Sequence, residues 1–222
     1  MKITQINARD IPDAWYQAIF KIFEEGRIYT IEKGSYAGSR RLEFDFVVIH
    51  IKNPETRPLI PDIPPGLAIP CPVDEGYIFE YLEKLCSAHS KSEFEDYTYG
   101  MYLEHQIQEV IRIYKENGFG TNQACMAVCD SNSIYLNDPP CLRQIDTRIY
   151  PDERKLHFIV YFRSWDLWGG FPANLAGLQM LKEYMADEID VEPGETIAIS
   201  KGLHLYEYAW DFAKLRRGAF ER

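Results

Sequence analysis

The sequence predicts an α+β fold, a mixed sheet covered by helices, on three observations. Apolar residues recur at helical spacing in four separate segments, and runs rich in Val, Ile and Phe stand between them. The two kinds of segment also intermix without the regular βαβ alternation that a doubly wound parallel sheet requires. The chain has 222 residues, of which 46% are hydrophobic and 14% aromatic. That is enough apolar surface for one packed core and too little chain for two, so residues 1–222 are expected to form a single domain and not a disordered protein.

In chain order, Asp10 is placed to cap a helix with Pro12 in its first turn. Trp15, Ile19, Ile22 and Phe23 then form one apolar stripe that ends at Gly26. Leu42 to Ile51 reads as a strand, entered through Arg40 and Arg41 after the loop from Gly34 to Ser39. Glu55 to Pro65 is too rich in proline for regular structure and reads as an extended surface loop. Glu75 to Ser87 is expected to be a helix capped by Asp74, and Met101 to Asn117 a stronger one ending at Gly118. Gln123 to Val128 and Leu156 to Phe162 read as strands, the second so continuously apolar that both of its faces are expected to be buried. Asn174 to Ala186 is the fourth helix, and Glu195 to Tyr208 forms two short strands around Gly202.

Charge narrows the function classes. The formal net charge is −10, so the mean field repels duplex nucleic acid. No stretch approaches the length of a membrane span, and the N-terminus lacks an apolar signal region, so a cytoplasmic protein is expected. A small anionic substrate stays open, because a few arginines can hold one phosphate whatever the net charge. The five cysteines, Cys71, Cys86, Cys125, Cys129 and Cys141, lack a C-x-x-C pair and read as reduced thiols with no structural zinc, and Cys125 and Cys129 as small buried core residues.

Four patches stand out from scaffold. Two prolines pin the backbone just before Cys141 in Asn137-Asp138-Pro139-Pro140-Cys141. Tyr161-Phe162-Arg163-Ser164-Trp165-Asp166 brings an arginine, a hydroxyl and a carboxylate to the end of a strand, where binding sites are commonly built. Gly169-Gly170-Phe171-Pro172-Ala173-Asn174 sets an amide at the start of a helix, and His204 and Tyr206 share one face of a strand. Each alone is compatible with a packing role: a loop cysteine, a satisfied strand histidine.

In order and spacing these four patches resemble the thymidylate synthases and their pyrimidine hydroxymethylase relatives. The chain's short length is most similar to the compact archaeal branch. The strong resemblance spans roughly residues 137 to 210, about a third of the chain. It implies a predominantly antiparallel sheet layered with helices and paired sheet to sheet in a homodimer. It implies reductive methylation of dUMP to dTMP through a Cys141 adduct at carbon 6 of uracil, with 5,10-methylene-tetrahydrofolate or an archaeal methylene-tetrahydropterin as co-substrate and no metal. Arg163 and Ser164 match phosphate ligands, Asn174 the amide that reads the uracil edge, His204 and Tyr206 the pair on the 3′-hydroxyl, and Asp166 the carboxylate on the pterin. Upstream, Glu80 matches a helical glutamate that manages protons, Tyr99 a tyrosine near the reacting carbon, and Arg40 or Arg41 a mobile phosphate arginine.

The sequence departs from that pattern at several points. Phe162 stands for a glutamine, Leu142 for a histidine and Gly202 for an aspartate, while Thr121-Asn122-Gln123 lacks the paired arginines that a partner subunit supplies. Ala219 to Arg222 also lacks the usual small apolar ending. A hydroxymethylase on dUMP or dCMP, and a nucleotide-binding homologue without turnover, are the alternative readings.

Overall fold

The structure is a computed structural model that describes residues 1–33, 36–91 and 96–218. Ten strands and five helices follow one another as β1 (Ile3–Ala8), α1 (Ile11–Glu25), β2 (Arg27–Thr30), β3 (Arg40–Glu43), β4 (Phe46–Ile51), α2 (Glu75–Cys86), α3 (Gly100–Asn117), β5 (Cys125–Ala127), β6 (Leu142–Ile149), β7 (Lys155–Phe162), β8 (Trp165–Asp166), α4 (Gly170–Ile189), β9 (Glu192–Ser200), β10 (Leu203–Tyr206) and α5 (Trp210–Arg217). The larger sheet has the order β1-β4-β9-β7-β6-β5 and the smaller β2-β3-β10-β8. Both mix parallel and antiparallel ladders, so the architecture is α+β.

The large sheet buries one face under helices. Along β7 alternation turns Leu156, Phe158, Val160 and Phe162 into the core, and β4 contributes Val47, Ile49 and Ile51 from the same face. Full burial of each such side chain stabilises the fold by about 1.5–3 kcal/mol. The opposite face of β7 is only half-buried, which corrects the expectation that both faces of Leu156 to Phe162 are covered. The period-2 pattern is present; a continuous apolar run conceals it, because Tyr161 and Ile159 are apolar on the outer side too.

Helix α4 is buried nearly all round. Its stripe is therefore broad, and it runs from Gly170 to Ile189 and ends on Asp190 in the left-handed conformation, so the expected Asn174 to Ala186 is too short at both ends. Asn174 consequently lies in the second turn and not at the start. The run Leu42 to Ile51 is two strands in different sheets, parted at Phe44-Asp45. Gln123 to Val128 contracts to the three residues of β5, where alternation sends Met126 inward and leaves Cys125 exposed; Cys129 is half-buried, so neither cysteine is a core residue as expected. The proline loop is irregular as read, although its Leu59 and Ile60 pack into the core.

Two contacts tie this frame to the region of the four patches. Trp15, fully buried on α1, donates its indole N–H to the carbonyls of Leu167 (3.0 Å) and Trp168 (3.1 Å), which pins the turn between β8 and α4. Backbone pairing of β10 with both β3 and β8 then carries His204 alongside Asp166 and Glu43.

Candidate active site

Cys141 lies at the end of a strap whose carbonyls are gripped by one side chain. Prolines 139 and 140 bring no N–H but two carbonyls, and Arg163 Nε donates to both at 3.2 Å. Its Nη2 donates to Asp138 Oδ1 at 2.8 Å and also to the Pro139 carbonyl. The Arg163 backbone N–H closes the grip on the Cys141 carbonyl at 2.8 Å. The thiol is half-buried, and burial pushes its pKa up; Arg163 and Arg143 pull it down and Asp138 raises it.

Four phenols lie within electrostatic reach of the sulfur. Desolvation is the main reason Tyr81, Tyr97, Tyr99 and Tyr206 resist ionisation, and negative charge at Cys141 adds to that resistance in all four. Tyr81, Tyr97 and Tyr99 line a cavity of about 400 Å³ with Tyr77, Asp138 and Asn174. Tyr99 meets the edge of Tyr81 with ring centres 6.0 Å apart and lies 5.8 Å from Tyr97.

Asn174 reaches this cavity from α4, and Trp165 Nε1 donates to its Oδ1 at 2.9 Å. Phe162 stacks on Trp165 with centres 4.0 Å apart and planes 7° from parallel. The apolar replacement at 162 thus supports the indole that holds the amide. Gly202 also has a local cause: a Cβ there would stand 2.9 Å from the Arg163 carbonyl, so an aspartate does not fit this crossing of the chain.

Asp166 accepts from the backbone N–H groups of Gly169 and Gly170 at 3.0 Å each and of Trp168 at 3.2 Å. It caps α4, whose own cap residue is a glycine. Oδ1, which takes only the Trp168 N–H, keeps a lone pair for a further donor. His204 is buried; its Nδ1 lies 2.8 Å from the Gly202 carbonyl, which can only accept, so Nδ1 carries the proton. Burial lowers the pKa of this ring, so it is neutral with Nε2 as an acceptor, and Nε2 has no partner. Tyr206 stands edge-on to His204 at 4.6 Å and stacks on Tyr36 at 4.4 Å.

The two arginines of β3 part ways. Arg40 is taken by Glu207, through both its backbone N–H and its guanidinium, and lies over Trp210. Arg41 faces Tyr206 across the ladder and pairs with Glu43 at 2.8 Å. Ser164 is half-buried beside Arg163. Glu80 is exposed on α2 and does not line the cavity; Tyr77 and Tyr81 of the same helix do. Sequence reasoning missed Tyr81, Tyr97 and Arg143, none of which carries a spacing signal. Leu142 is fully buried, while Asn122 and Gln123 are exposed. Ala219 to Arg222, like Gly34 and Ser35 of the first loop, fall outside the described residues. Among the described residues no cluster of three or more His, Cys, Asp or Glu is placed to hold a metal ion, and no helix is long and apolar enough to cross a membrane.

Comparison with known proteins identifies the chain's relatives. A family model for thymidylate synthase matches residues 91–217. A Methanosarcina mazei protein named provisionally as a thymidylate synthase is 34% identical over 215 residues, covering 94% of this chain and 92% of that one. A Methanothermobacter marburgensis protein with the same provisional name is 29% identical, covering 95% and 96%. The thymidylate synthase of Saccharomyces cerevisiae is 28% identical over 143 residues, 60% of this chain and 46% of the yeast protein. With a family match over more than half of its length and relatives that span almost all of it, the chain belongs to the thymidylate synthase family.

Proposed function

We propose that the protein methylates dUMP reductively to dTMP, with Cys141 as the covalent nucleophile. The observation that carries this reading is the meeting of Arg163, which grips the strap of Cys141, with a cavity lined by phenols and by an amide whose direction is fixed by Trp165. Membership of the family supports a methyl-transferring enzyme that takes dUMP and a methylene-tetrahydrofolate type of co-substrate.

The chemistry follows from the residues. Carbon 5 of uracil is a weak nucleophile, and thiolate addition at carbon 6 turns the ring into an enolate that attacks through carbon 5. The S–C6 bond forms as the C5–C6 π pair shifts to C4–C5 and the carbonyl π pair moves onto the carbon 4 oxygen. Asn174 serves both partners of the uracil edge: its Nδ2 donates to that oxygen, and Oδ1 has a second lone pair for the N3–H. Arg163 exchanges Asp138 for the phosphate, with Ser164 beside it, and Arg41 rather than Arg40 faces the sugar end. His204 Nε2 accepts from the 3′-hydroxyl with Tyr206 alongside. An aromatic wall suits a pterin, and Asp166 lies at the start of the helix that carries Asn174, so Asp166 and the tyrosines would hold it. When bound it supplies the carbon and the hydride. Tyr99 borders the same space, whereas Glu80, exposed, would need helix rearrangement or a water chain to act there.

The outer face of the large sheet, with Val48, Ile159, Tyr161, Ile197 and Ile199 half-buried, is the surface we assign to a second copy of the chain. With neutral Asn122 and Gln123 at the expected arginine positions, phosphate binding in such a dimer rests on the chain's own arginines.

The test is tritium release from carbon 5 of dUMP, with methylene-tetrahydrofolate or a methanogen-type pterin, in wild type and Cys141→Ala. Release by wild type alone, with a methyl product by mass spectrometry, is expected. A hydroxymethyl product would replace the synthase reading with a hydroxymethylase, and dUMP binding without release with either carrier would leave a binding protein.

A further inference from the structure

We propose that the Tyr81 hydroxyl is a hydrogen-bond donor to the substrate pyrimidine, directed at the carbon 4 oxygen on which charge collects when Cys141 adds to carbon 6. The proposal rests on the dUMP reading above and names a group which that reading does not contain.

Tyr81 is 4% exposed, yet its hydroxyl has no hydrogen-bond partner. Buried hydroxyls are almost always satisfied, so an orphan beside a cavity marks a place kept for something absent from the structure. The cavity in question is the one that Asn174 and Tyr99 also line. The position of the phenol is enforced by α4: a Cβ at Gly177 would stand 2.5 Å from Tyr81 Cδ1, so only glycine lets the ring lie against the helix. Residue 177 is three on from Asn174, one turn along the same face. The ring therefore sits directly beside the amide that reads the uracil edge.

The direction of the hydrogen bond is settled by environment. Burial, reinforced by Tyr99, Tyr77 and Cys141, keeps the phenol protonated. It is therefore a donor and is not a base toward the ring. In the addition step the S–C6 bond forms, the C5–C6 π pair shifts to C4–C5, the carbonyl π pair moves onto the carbon 4 oxygen, and no proton leaves Tyr81; its O–H strengthens its bond to an oxygen that has gained charge. Such preorganised donors act in the transition state more than in the ground state. The vacancy on this side of the site is real in this chain: Leu142 is apolar, and Glu80 is exposed and off the cavity.

The test compares wild type with Tyr81→Phe, which keeps the ring against Gly177, and with Glu83→Gln, an exposed change on the same helix. Tritium release from carbon 5 of dUMP, the dUMP dissociation constant and the melting temperature are measured for each. Tyr81→Phe is expected to lower the maximal release rate by about 10²-fold with dUMP affinity nearly unchanged, the signature of a lost transition-state donor. Glu83→Gln is expected to stay within about twofold, as for an exposed substitution. A purely packing role would leave the release rate of Tyr81→Phe at the wild-type level, and that result overturns the proposal. If Tyr81→Phe melts early, 3-fluorotyrosine at 81 acidifies the hydroxyl and keeps the ring; an unaltered release rate and pH profile there overturn the proposal. A wild type that binds dUMP and releases no tritium overturns the dUMP reading, and this inference with it.

Discussion

Trp165 Nε1 donates to Asn174 Oδ1 at 2.9 Å, and this single bond decides which way the amide faces. An indole N–H can only donate, so the oxygen must point at Trp165 and the NH2 group toward the cavity. Behind the indole, Phe162 lies parallel at 4.0 Å. The resulting chain, Phe162 to Trp165 to Asn174, links a strand end to the cavity.

Trp165→Phe should therefore release the amide while keeping an aromatic face for Phe162. Free to flip, Asn174 can present either group to the base, and discrimination between dUMP and dCMP should fall about tenfold, the worth of roughly one hydrogen bond. Competitive calorimetry with the two nucleotides reads it. Selectivity unchanged in Trp165→Phe would show that something other than the indole sets the amide.

The thiol of Cys141 should be sluggish without substrate. Burial raises its pKa against the pull of Arg163 and Arg143, so its alkylation by iodoacetamide should have a midpoint above that of a free cysteine, about 8.5. Removing a cation moves the midpoint further up in Arg163→Ala. Removing the anion moves it down in Asp138→Asn. Rates measured between pH 7 and 10 check all three; a midpoint in the wild type below the free value would mean that the arginines outweigh burial.

Much of this was legible in the sequence, and the limits have physical causes. Helices α1 and α3 carry one-sided stripes and were read within a residue or so, because their outer faces meet water. Helix α4 is buried on nearly all sides, so its periodicity fades at both ends and Asn174 was placed one turn too early. Strand β1 escaped notice because its outer positions include Ile3, and its parallel pairing with β4 is a long-range choice that local pattern does not record. At the site, Cys141, Arg163, Asp166 and His204 stood out because four separated patches resemble one family in order and spacing, although each patch alone is compatible with packing. Tyr81 did not: a tyrosine on an amphipathic helix looks like packing until its hydroxyl is seen to lack a partner. Arg40 and Arg41 were equivalent as neighbours, and only strand alternation separated them.

His204 gives a further prediction. In the proposed reading neutral Nε2 accepts from the sugar 3′-hydroxyl, so His204→Ala should weaken dUMP by about tenfold and leave 2′,3′-dideoxyuridine 5′-phosphate almost unaffected. The ring's pKa is lowered in the folded protein, first by burial, so below about pH 6.5 the unfolded chain binds a proton that the native one resists. Stability should thus fall as pH drops from 7 to 5.5, and this slope should be smaller in His204→Ala. Equal weakening of both nucleotides would remove the 3′-hydroxyl contact from the site.

Lys182 supplies the opposite end of the pH range. It is fully buried in α4, where Nζ reaches the carbonyls of Gly194 (2.6 Å) and Glu195 (3.3 Å) and the Thr196 hydroxyl (2.7 Å), next to the irregular register of β7 and β9. Burial pushes its pKa down to about 7. The unfolded lysine titrates near 10.4, so between the two values the unfolded chain holds a proton that the native one has given up. By linkage, stability then rises with pH across that window, by up to about 1.4 kcal/mol per unit from this group alone. Lys182→Met should flatten that rise between pH 7.5 and 9.5, and it should also destabilise the protein by about 1–3 kcal/mol, because two buried carbonyls lose their donor. Urea denaturation of both proteins across the window measures slope and offset together. A parallel pair of curves would mean that Lys182 stays protonated in the fold, and that its three acceptors, rather than burial, govern its charge.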